Sequence, residues 1–314
     1  MRTASQEDAE QALKASQAGI DRVVARLRDV YRRWGREASN AEMRLDWDAL
    51  FWSDTMPATI ELLTANGIDA AWISAPGVEP GKVAIYFHGG GFRLGSLRSH
   101  RDLMARISAA SGCRVLGVDY RLAPEHRFPA AHDDALAVYD WVLAQGIAAQ
   151  DIALVGDSAG GCLALSTAHA LRDTAQPMPA AIATMSAWTD LSASCASYDT
   201  HAGLDPIHQR PMIVAVARNY LGPDIDPRDH RASPLFADPV GLPPLLMQVG
   251  GRETVLDDTR DFARKAEHSG CAVTLEVWDD MIHVFQQFPD DLLEARLAIA
   301  SLGAFLRRSL GVAA

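Results

Sequence analysis

The chain has 314 residues, long enough for one large α/β domain with a cap. Its formal net charge of −11, from 29 Lys and Arg against 40 Asp and Glu, argues against nucleic acid or an anionic membrane surface as a partner. The four cysteines have no metal-binding or redox spacing, and the N-terminus carries acidic residues where a secretory signal would be basic. We therefore expect a cytoplasmic protein with neither a nucleic acid nor a membrane partner.

The periodicity of apolar residues predicts an α/β fold with a mainly parallel central sheet flanked by helices. Residues 5–35 have apolar residues at helical spacing in a polar stretch, which predicts an amphipathic helix. After about Ile68, short apolar runs alternate with longer helical patterns, as in βαβ units. We predict strands at 83–87, 114–118, 152–155, 181–185, 245–249 and 273–277, with helices at about 99–110, 131–145, 159–172, 258–269 and 291–309.

The alternation lapses between about 192 and 232, after the strand at 181–185, in a stretch rich in Pro and Asp with one predicted helix at 209–220. Open α/β sheets bind ligands at the carboxyl ends of their strands, so an insertion at this position can cover a site. We interpret it as a cap that acts together with N-terminal helices in 1–50, over a catalytic domain in 51–314.

The predicted strand at 152–155 leads into Gly-Asp-Ser-Ala-Gly at 156–160 and then into a predicted helix. G-x-S-x-G between a strand and a helix is typical of the nucleophile elbow of α/β-hydrolases. The glycines allow the close packing and strained backbone that such a turn requires. The pattern predicts Ser158 as a nucleophile.

A second glycine-rich segment, His-Gly-Gly-Gly-Phe at 88–92, follows the predicted strand at 83–87. Acyl transfer forms an oxyanion that needs aligned donors, and glycines let backbone N–H groups approach it closely. A dinucleotide-binding motif is excluded because Leu94 stands where its last glycine is required. We interpret His88 as structural and predict the oxyanion donors among Gly89, Gly90, Gly91 and Ala159.

The base and the acid of such a site follow the nucleophile in the order Ser, acid, His. His283 lies just after the predicted strand at 273–277 and is the predicted base. Three carboxylates compete in the loop after the strand at 245–249. Glu253 is closest to the strand end, whereas Asp257 and Asp258 resemble cap and first-turn residues of the next helix. We assign Glu253 as the acid and keep Asp257 as the alternative.

Apolar side chains near these segments are candidates to line an acyl or alcohol pocket: Phe92, Trp188, Leu204 and Met212. The sequence has no H-E-x-x-H segment or comparable cluster, so a metal-dependent hydrolase is disfavoured and we expect no metal and no cofactor.

Taken together, these motifs are similar to those of the hormone-sensitive-lipase family of α/β-hydrolases, the bacterial family IV esterases. The matching segments are HGGGF (88–92), DYRLAPEHRFPAAHDD (119–134), GDSAGG (156–161), SAWTDL (186–191), the GxxExxxD loop (250–257) and DMIHVF (280–285).

The resemblance implies a triad of Ser158, Glu253 and His283, an oxyanion held by HGGG and Ala159, and a cap made from the N-terminal helices and the insertion. It also implies hydrolysis of short-chain acyl esters without a cofactor, and a homodimer. The family commonly has Asp where this chain has Glu253, and Ser-Pro-Trp where it has Ser-Ala-Trp at 186–188. A lactone, amide or carbamate hydrolase would use the same residues, and an inactive binding protein is a remote alternative.

Overall fold

A mixed sheet of eight strands forms the centre of the structure, a computed structural model that describes residues 4–35, 38–53 and 55–313. The strands are β1 (Thr59–Ala65), β2 (Ile68–Ser74), β3 (Glu79–Phe87), β4 (Cys113–Val118), β5 (Ile152–Asp157), β6 (Ala181–Met185), β7 (Leu245–Gly250) and β8 (Val273–Trp278). Across the sheet their order is β1-β2-β4-β3-β5-β6-β7-β8. β2 is antiparallel to β1 and β4, and the pairs from β4 to β8 are parallel.

The helices are α1 (Ala4–Arg33), α2 (Asn40–Phe51), α3 (Leu97–Ser111), α4 (Ala130–Ala144), α5 (Ala159–Asp173), α6 (Ser197–Thr200), α7 (Arg210–Leu221), α8 (Leu256–His268) and α9 (Leu293–Leu310). Residues of α3 and α9 pack on one face of the sheet, and residues of α4, α5 and α8 pack on the other. Along β3, Val83, Ile85 and Phe87 belong to one core, and Ala84 and Tyr86 to the opposite one. This alternation explains why the strand reads as a continuous apolar run.

The architecture confirms the predicted α/β-hydrolase fold. Each of the predicted strands and helices is present with bounds close to those expected. The hairpin of β1 and β2 was not predicted, although Asn66-Gly67 connects the two strands with positive φ angles of 48° and 88°. Asn-Gly between short apolar runs is a strong signal for a tight β-hairpin, and this signal was missed.

Two separate parts of the chain lie over the carboxyl ends of the parallel strands. α6 and α7 belong to the insertion, which follows β6 as predicted. Ile20, Val23 and Leu27 of α1 pack against Met281 and Ile282, immediately before His283. Of the predicted N-terminal cap at 1–50, residues 1–3 and 36–37 lie outside the described residues. None of the described helices combines the length and the apolar character needed to span a bilayer.

Candidate active site

Ser158 occupies the sharp turn between β5 and α5, with φ of 51° and ψ of −117°. The flanking glycines are required by close backbone contacts. A Cβ on Gly156 would lie 2.3 Å from the carbonyl oxygen of Gly160, and one on Gly160 would lie 1.9 Å from the carbonyl oxygen of Phe87. The turn therefore depends on glycine at both positions, and it places the serine hydroxyl at the end of the sheet.

The structure brings Ser158, His283 and Glu253 into one hydrogen-bonded line. Nε2 of His283 lies 2.9 Å from Oγ of Ser158, and Nδ1 of His283 lies 2.7 Å from Oε2 of Glu253. These three side chains come from the β5–α5 turn, the loop after β8 and the loop after β7. Because parallel strands end at the same edge of the sheet, residues distant in sequence meet there.

Glu253 is fully buried and its second oxygen is also engaged. Oγ of Ser186 donates to Oε1 of Glu253 at 2.7 Å, and the backbone N–H of Gly250 donates to the same oxygen. Ser186 also accepts the backbone N–H of Val284 at 3.0 Å. One serine hydroxyl therefore links the carboxylate to the loop that carries His283. The motif at 186–191 indicated the family but did not predict this role for Ser186.

The competing carboxylates have other partners. Asp257 lies in the first turn of α8 and forms an ion pair with Arg260 at 3.6 Å. Asp258 is buried and accepts the backbone N–H of Asp190 at 2.9 Å. Burial and the neighbouring Asp190 raise the pKa of Asp258 well above its usual range. Both lie in the first turn as expected, although the cap position is occupied by Val255, and the hydrogen bond to His283 is made by Glu253.

The surroundings of His283 favour its protonated form. Burial lowers the pKa of His283, but the negative charge of Glu253 and its hydrogen bond to the ring outweigh burial, so the pKa is raised above 6.5. Glu253 therefore both orients the imidazole and stabilises the imidazolium that forms when it accepts a proton.

The glycine-rich segment differs in part from the prediction. The backbone N–H of Gly89 already donates to Oδ1 of Asp157 at 2.9 Å, so the prediction of Gly89 as an oxyanion donor is wrong. Gly90 and Gly91 line the same cavity as Ser158 and have positive φ angles of 114° and 64°. Ala159 is the first residue of α5. Gly90 and Gly91 thus lie beside the serine in the cavity, and Ala159 lies at the positive end of α5.

His88 lies behind this segment, where it cannot contact a substrate directly. It is buried, its ring is stacked on that of Tyr120 with centroids 4.3 Å apart, and its Nδ1 lies 2.8 Å from the carbonyl oxygen of Gly89. Burial, followed by the nearby His100, lowers the pKa of His88 to about 3. These contacts agree with a structural role in holding the glycines.

A cavity of about 270 Å³ opens at Ser158 and is mostly apolar. Of the predicted pocket residues, Trp188 and Met212 line it. Phe92 does not, because it is fully buried in the core and stacked on Tyr220 with centroids 3.9 Å apart. Leu204 does not either, because it lies at the surface and is 47% exposed. The prediction of these two as pocket residues is therefore wrong.

Much of the cavity wall comes from residues that sequence reasoning did not select. Helices α1 and α2, with the residue that directly follows α1, contribute aromatic side chains: Tyr31, Trp34, Trp47 and Phe51. The insertion contributes Asp205 and His208, and the ring centroid of His208 lies 4.4 Å from that of His283. Large aromatic residues in otherwise polar helices were the available signal for the first group, whereas no local pattern marks the second.

Comparisons with known proteins show the family of this chain. Residues 84–287 match a family model described as alpha/beta hydrolase fold. An acetyl-hydrolase of Streptomyces hygroscopicus is 40% identical over 251 residues, covering 80% of this chain and 83% of that protein. An esterase of Acinetobacter venetianus is 39% identical over 224 residues, covering 71% of this chain and 74% of that protein. The crystal structure of an esterase from the bacterial hormone-sensitive lipase family superposes with a TM-score of 0.90 and 44% identity, covering 94% of this chain and 99% of that one.

The fold, the site and these relatives define a carboxylic ester hydrolase with an α/β-hydrolase fold. More narrowly, the chain belongs to the bacterial hormone-sensitive-lipase family of esterases, as its motifs indicated.

Proposed function

We propose that this esterase cleaves short-chain acyl esters through a covalent acyl-enzyme on Ser158. The observation that carries the proposal is the 2.9 Å contact between Oγ of Ser158 and Nε2 of His283, with Glu253 on the far side of the ring. A serine hydroxyl is a weak nucleophile at neutral pH unless a base accepts its proton as it attacks. The three side chains have the connectivity that this requires.

In the first half of the reaction, His283 takes the proton of Ser158 as Oγ attacks the ester carbonyl carbon. The oxyanion that results accepts hydrogen bonds from the backbone N–H groups of Gly90, Gly91 and Ala159. Protonated His283 then donates its proton to the leaving alcohol oxygen as the C–O bond breaks. In the second half, water loses a proton to His283 and attacks the acyl carbon. Protonated His283 then returns the proton to Oγ of Ser158 as the bond between Oγ and the acyl carbon breaks, which releases the carboxylic acid.

The preference for short chains is supported by the size and the walls of the cavity. About 270 Å³ is just below the usual range of about 300–1,000 Å³ for ligand sites, and the walls are mainly large aromatic and aliphatic side chains. A relative that is 40% identical is named an acetyl-hydrolase, which also favours a small acyl group. We infer a substrate with a short, uncharged acyl chain.

The test combines covalent labelling with a substrate series. A fluorophosphonate probe should label the protein at Ser158, and Ser158→Ala should lose both the label and about 10⁶-fold in kcat. Hydrolysis of p-nitrophenyl esters from acetate to laurate should peak between acetate and hexanoate. Absence of labelling at Ser158 would contradict the mechanism.

The same series separates the alternatives that share this chemistry. Lactones and anilides of matched size should be poor substrates beside the esters. If lactones or amides were turned over and esters were not, the acyl-enzyme mechanism would stand but the ester assignment would be wrong.

A further inference from the structure

The cap insertion brings one carboxylate into the active-site cavity, that of Asp205. This residue lines the cavity and is 5% exposed. Its Oδ1 accepts the backbone N–H groups of Ile207 at 2.9 Å and of His208 at 2.8 Å. A side-chain oxygen that accepts amides two and three residues further along closes a tight turn. Asp205 therefore fixes the backbone that carries His208.

The other oxygen of Asp205 reaches the loop that carries the catalytic acid. Oδ2 accepts the backbone N–H of Thr254 at 3.0 Å and the hydroxyl of the same residue at 3.3 Å. Thr254 is the residue next to Glu253. The carboxylate of Asp205 thus bonds the turn of the insertion through Oδ1 and the loop of the acid through Oδ2. Ser197 of α6 makes a second link to this loop: its hydroxyl donates to the carbonyl oxygen of Thr254 at 2.6 Å and accepts the backbone N–H of Asp257 at 3.0 Å.

His208, at the end of the turn, rests against the base. Its ring lies 4.4 Å from that of His283, centroid to centroid, with the planes at 63°. Burial, followed by the charge of His283, lowers the pKa of His208 to about 4 despite the nearby Asp205. A ring packed this closely limits the rotation of His283, and in its neutral form it adds no like charge beside the base.

The charge of Asp205 has no strong partner of its own. In the described parts of the chain its contacts are amides, a hydroxyl and the ring of His208, whose Nδ1 lies 3.8 Å away, and no Lys or Arg forms an ion pair with it. A nearly buried carboxylate is costly unless opposite charge compensates it, and a positive charge appears on His283 in each half-reaction. The titratable groups that face His283 are Glu253, Asp157, Asp205 and His208, with Tyr31 of α1 beside Asp205.

We propose that Asp205 is a positioning residue for ester hydrolysis: it fastens the cap insertion to the loop of the catalytic acid and places His208 against the catalytic base. The triad is then fully aligned only while the insertion is docked, so the cap takes part in the chemistry as well as enclosing the substrate. This inference rests on the proposed function, because it assigns Glu253 and His283 their roles as acid and base.

The test is Asp205→Asn, which keeps the shape and an acceptor oxygen but removes the charge. We expect kcat to fall by about 10²-fold with KM for p-nitrophenyl butyrate changed less than about threefold, since small misplacements of catalytic groups have effects of this size. The acid limb of kcat/KM should move to lower pH, because His283 loses a negative neighbour that raises its pKa. Rates are expressed per active site titrated with fluorophosphonate.

Asp226→Asn is the matched control. Asp226 lies in the same insertion and its Oδ1 accepts the backbone N–H of Arg228 at 2.8 Å, but it is exposed and outside the cavity. It should leave kcat, KM and the acid limb unchanged. A second variant, Asp205→Ser, retains a hydroxyl that can accept the turn amides without any charge, and it should repeat the effects of Asn.

The outcomes separate this inference from the proposed function. If wild-type protein is not labelled at Ser158, the proposed function fails. If it is labelled and Asp205→Asn keeps kcat and the acid limb of wild type, the inference is overturned while the function stands. An increase in KM with unchanged kcat, or loss of the folded state in both Asp205 variants, would overturn it in favour of a substrate-binding or purely structural role.

Discussion

The two halves of the active site are built in different ways. On the sheet side, Ser158, Glu253 and His283 are held at strand ends by short hydrogen bonds, and buried groups such as Ser186 and Asp157 fix the adjoining loops. On the cap side, the wall is mainly apolar and aromatic. Its polar anchors to the loop of the acid include the carboxylate of Asp205 and the hydroxyl of Ser197.

This difference predicts which substitutions should affect turnover and which should affect substrate preference. Hydrogen bonds are strongly directional, so small errors in position have large effects on the sheet side. Apolar contacts depend mainly on buried area and tolerate substitutions of similar volume. We therefore expect changes on the sheet side, and at the directional anchor Asp205, to reduce turnover or folding, and changes in the apolar wall of the cap to adjust which ester is preferred.

The largest effect on turnover, after removal of the nucleophile itself, should come from Glu253→Gln. Gln can still accept from Ser186 and Gly250 with its amide oxygen, which directs its NH₂ group toward Nδ1 of His283. That orientation favours the tautomer with its proton on Nε2, which cannot accept the proton of Ser158. We expect kcat to fall by about 10⁴-fold in a p-nitrophenyl butyrate assay.

Asp257→Asn is the control for that experiment, because Asp257 lies in the same loop region and pairs with Arg260 near the surface. It should change kcat by less than about twofold and slightly lower the melting temperature, since partly exposed ion pairs contribute little. The reverse pattern, in which Asp257→Asn abolished turnover and Glu253→Gln did not, would reassign the catalytic acid.

A glycine on each side provides a second comparison. Gly160→Ala on the sheet side would bring a Cβ to 1.9 Å from the carbonyl oxygen of Phe87, and the backbone would have to shift. We expect a loss of about 3 kcal/mol or more in the free energy of unfolding, measured by urea denaturation. Gly203→Ala in the insertion has no atom within 4 Å of its added Cβ and should change stability by less than about 0.5 kcal/mol. Equal losses in both variants would contradict the proposed difference.

Activity should depend on pH through His283, whose neutral form is the base. Burial lowers the pKa of His283, but Glu253 outweighs burial and the pKa is raised above 6.5. As the pH falls through the pKa of His283, the ring becomes protonated. On the acid side of that pKa, kcat/KM should therefore fall by about tenfold per pH unit. The profile of log kcat/KM against pH for a neutral ester measures this, and a midpoint below 6.5 would contradict the assignment.

The sheet side could be predicted from sequence because its residues are tied to local motifs. Ser158 follows from a glycine pattern between a strand and a helix, and His283 from its position after the last strand. The assignment of Gly89 as a donor failed because the partner of its amide, Asp157, is distant in sequence. No short-range pattern could show that this N–H was already engaged.

For the cap side, the sequence predicted only where the insertion lies in the chain, and not which of its side chains reach the cavity. The insertion after β6 was expected, but its side chains reach the cavity through packing between segments far apart in the chain. Leu204 and Met212 looked equivalent as apolar residues of one segment, yet the first faces solvent and the second faces the cavity. Their orientation depends on how the insertion packs on the rest of the chain, which hydrophobicity alone does not encode.

Met212 and Leu204 give the smallest predicted effect and the most direct test of the apolar cap wall. Met212→Ala enlarges the cavity by about three non-hydrogen atoms, which lets a longer acyl chain bury more apolar surface. The ratio of kcat/KM for p-nitrophenyl octanoate to that for the butyrate should rise by about three- to tenfold, with the butyrate rate nearly unchanged. Leu204→Ala removes a similar side chain from the surface and should leave the ratio as in wild type. If both variants shifted the ratio equally, chain-length selection would not lie in the apolar cap wall. Loss of all turnover in Met212→Ala would also contradict this assignment, because such a loss is expected only where directional contacts are broken.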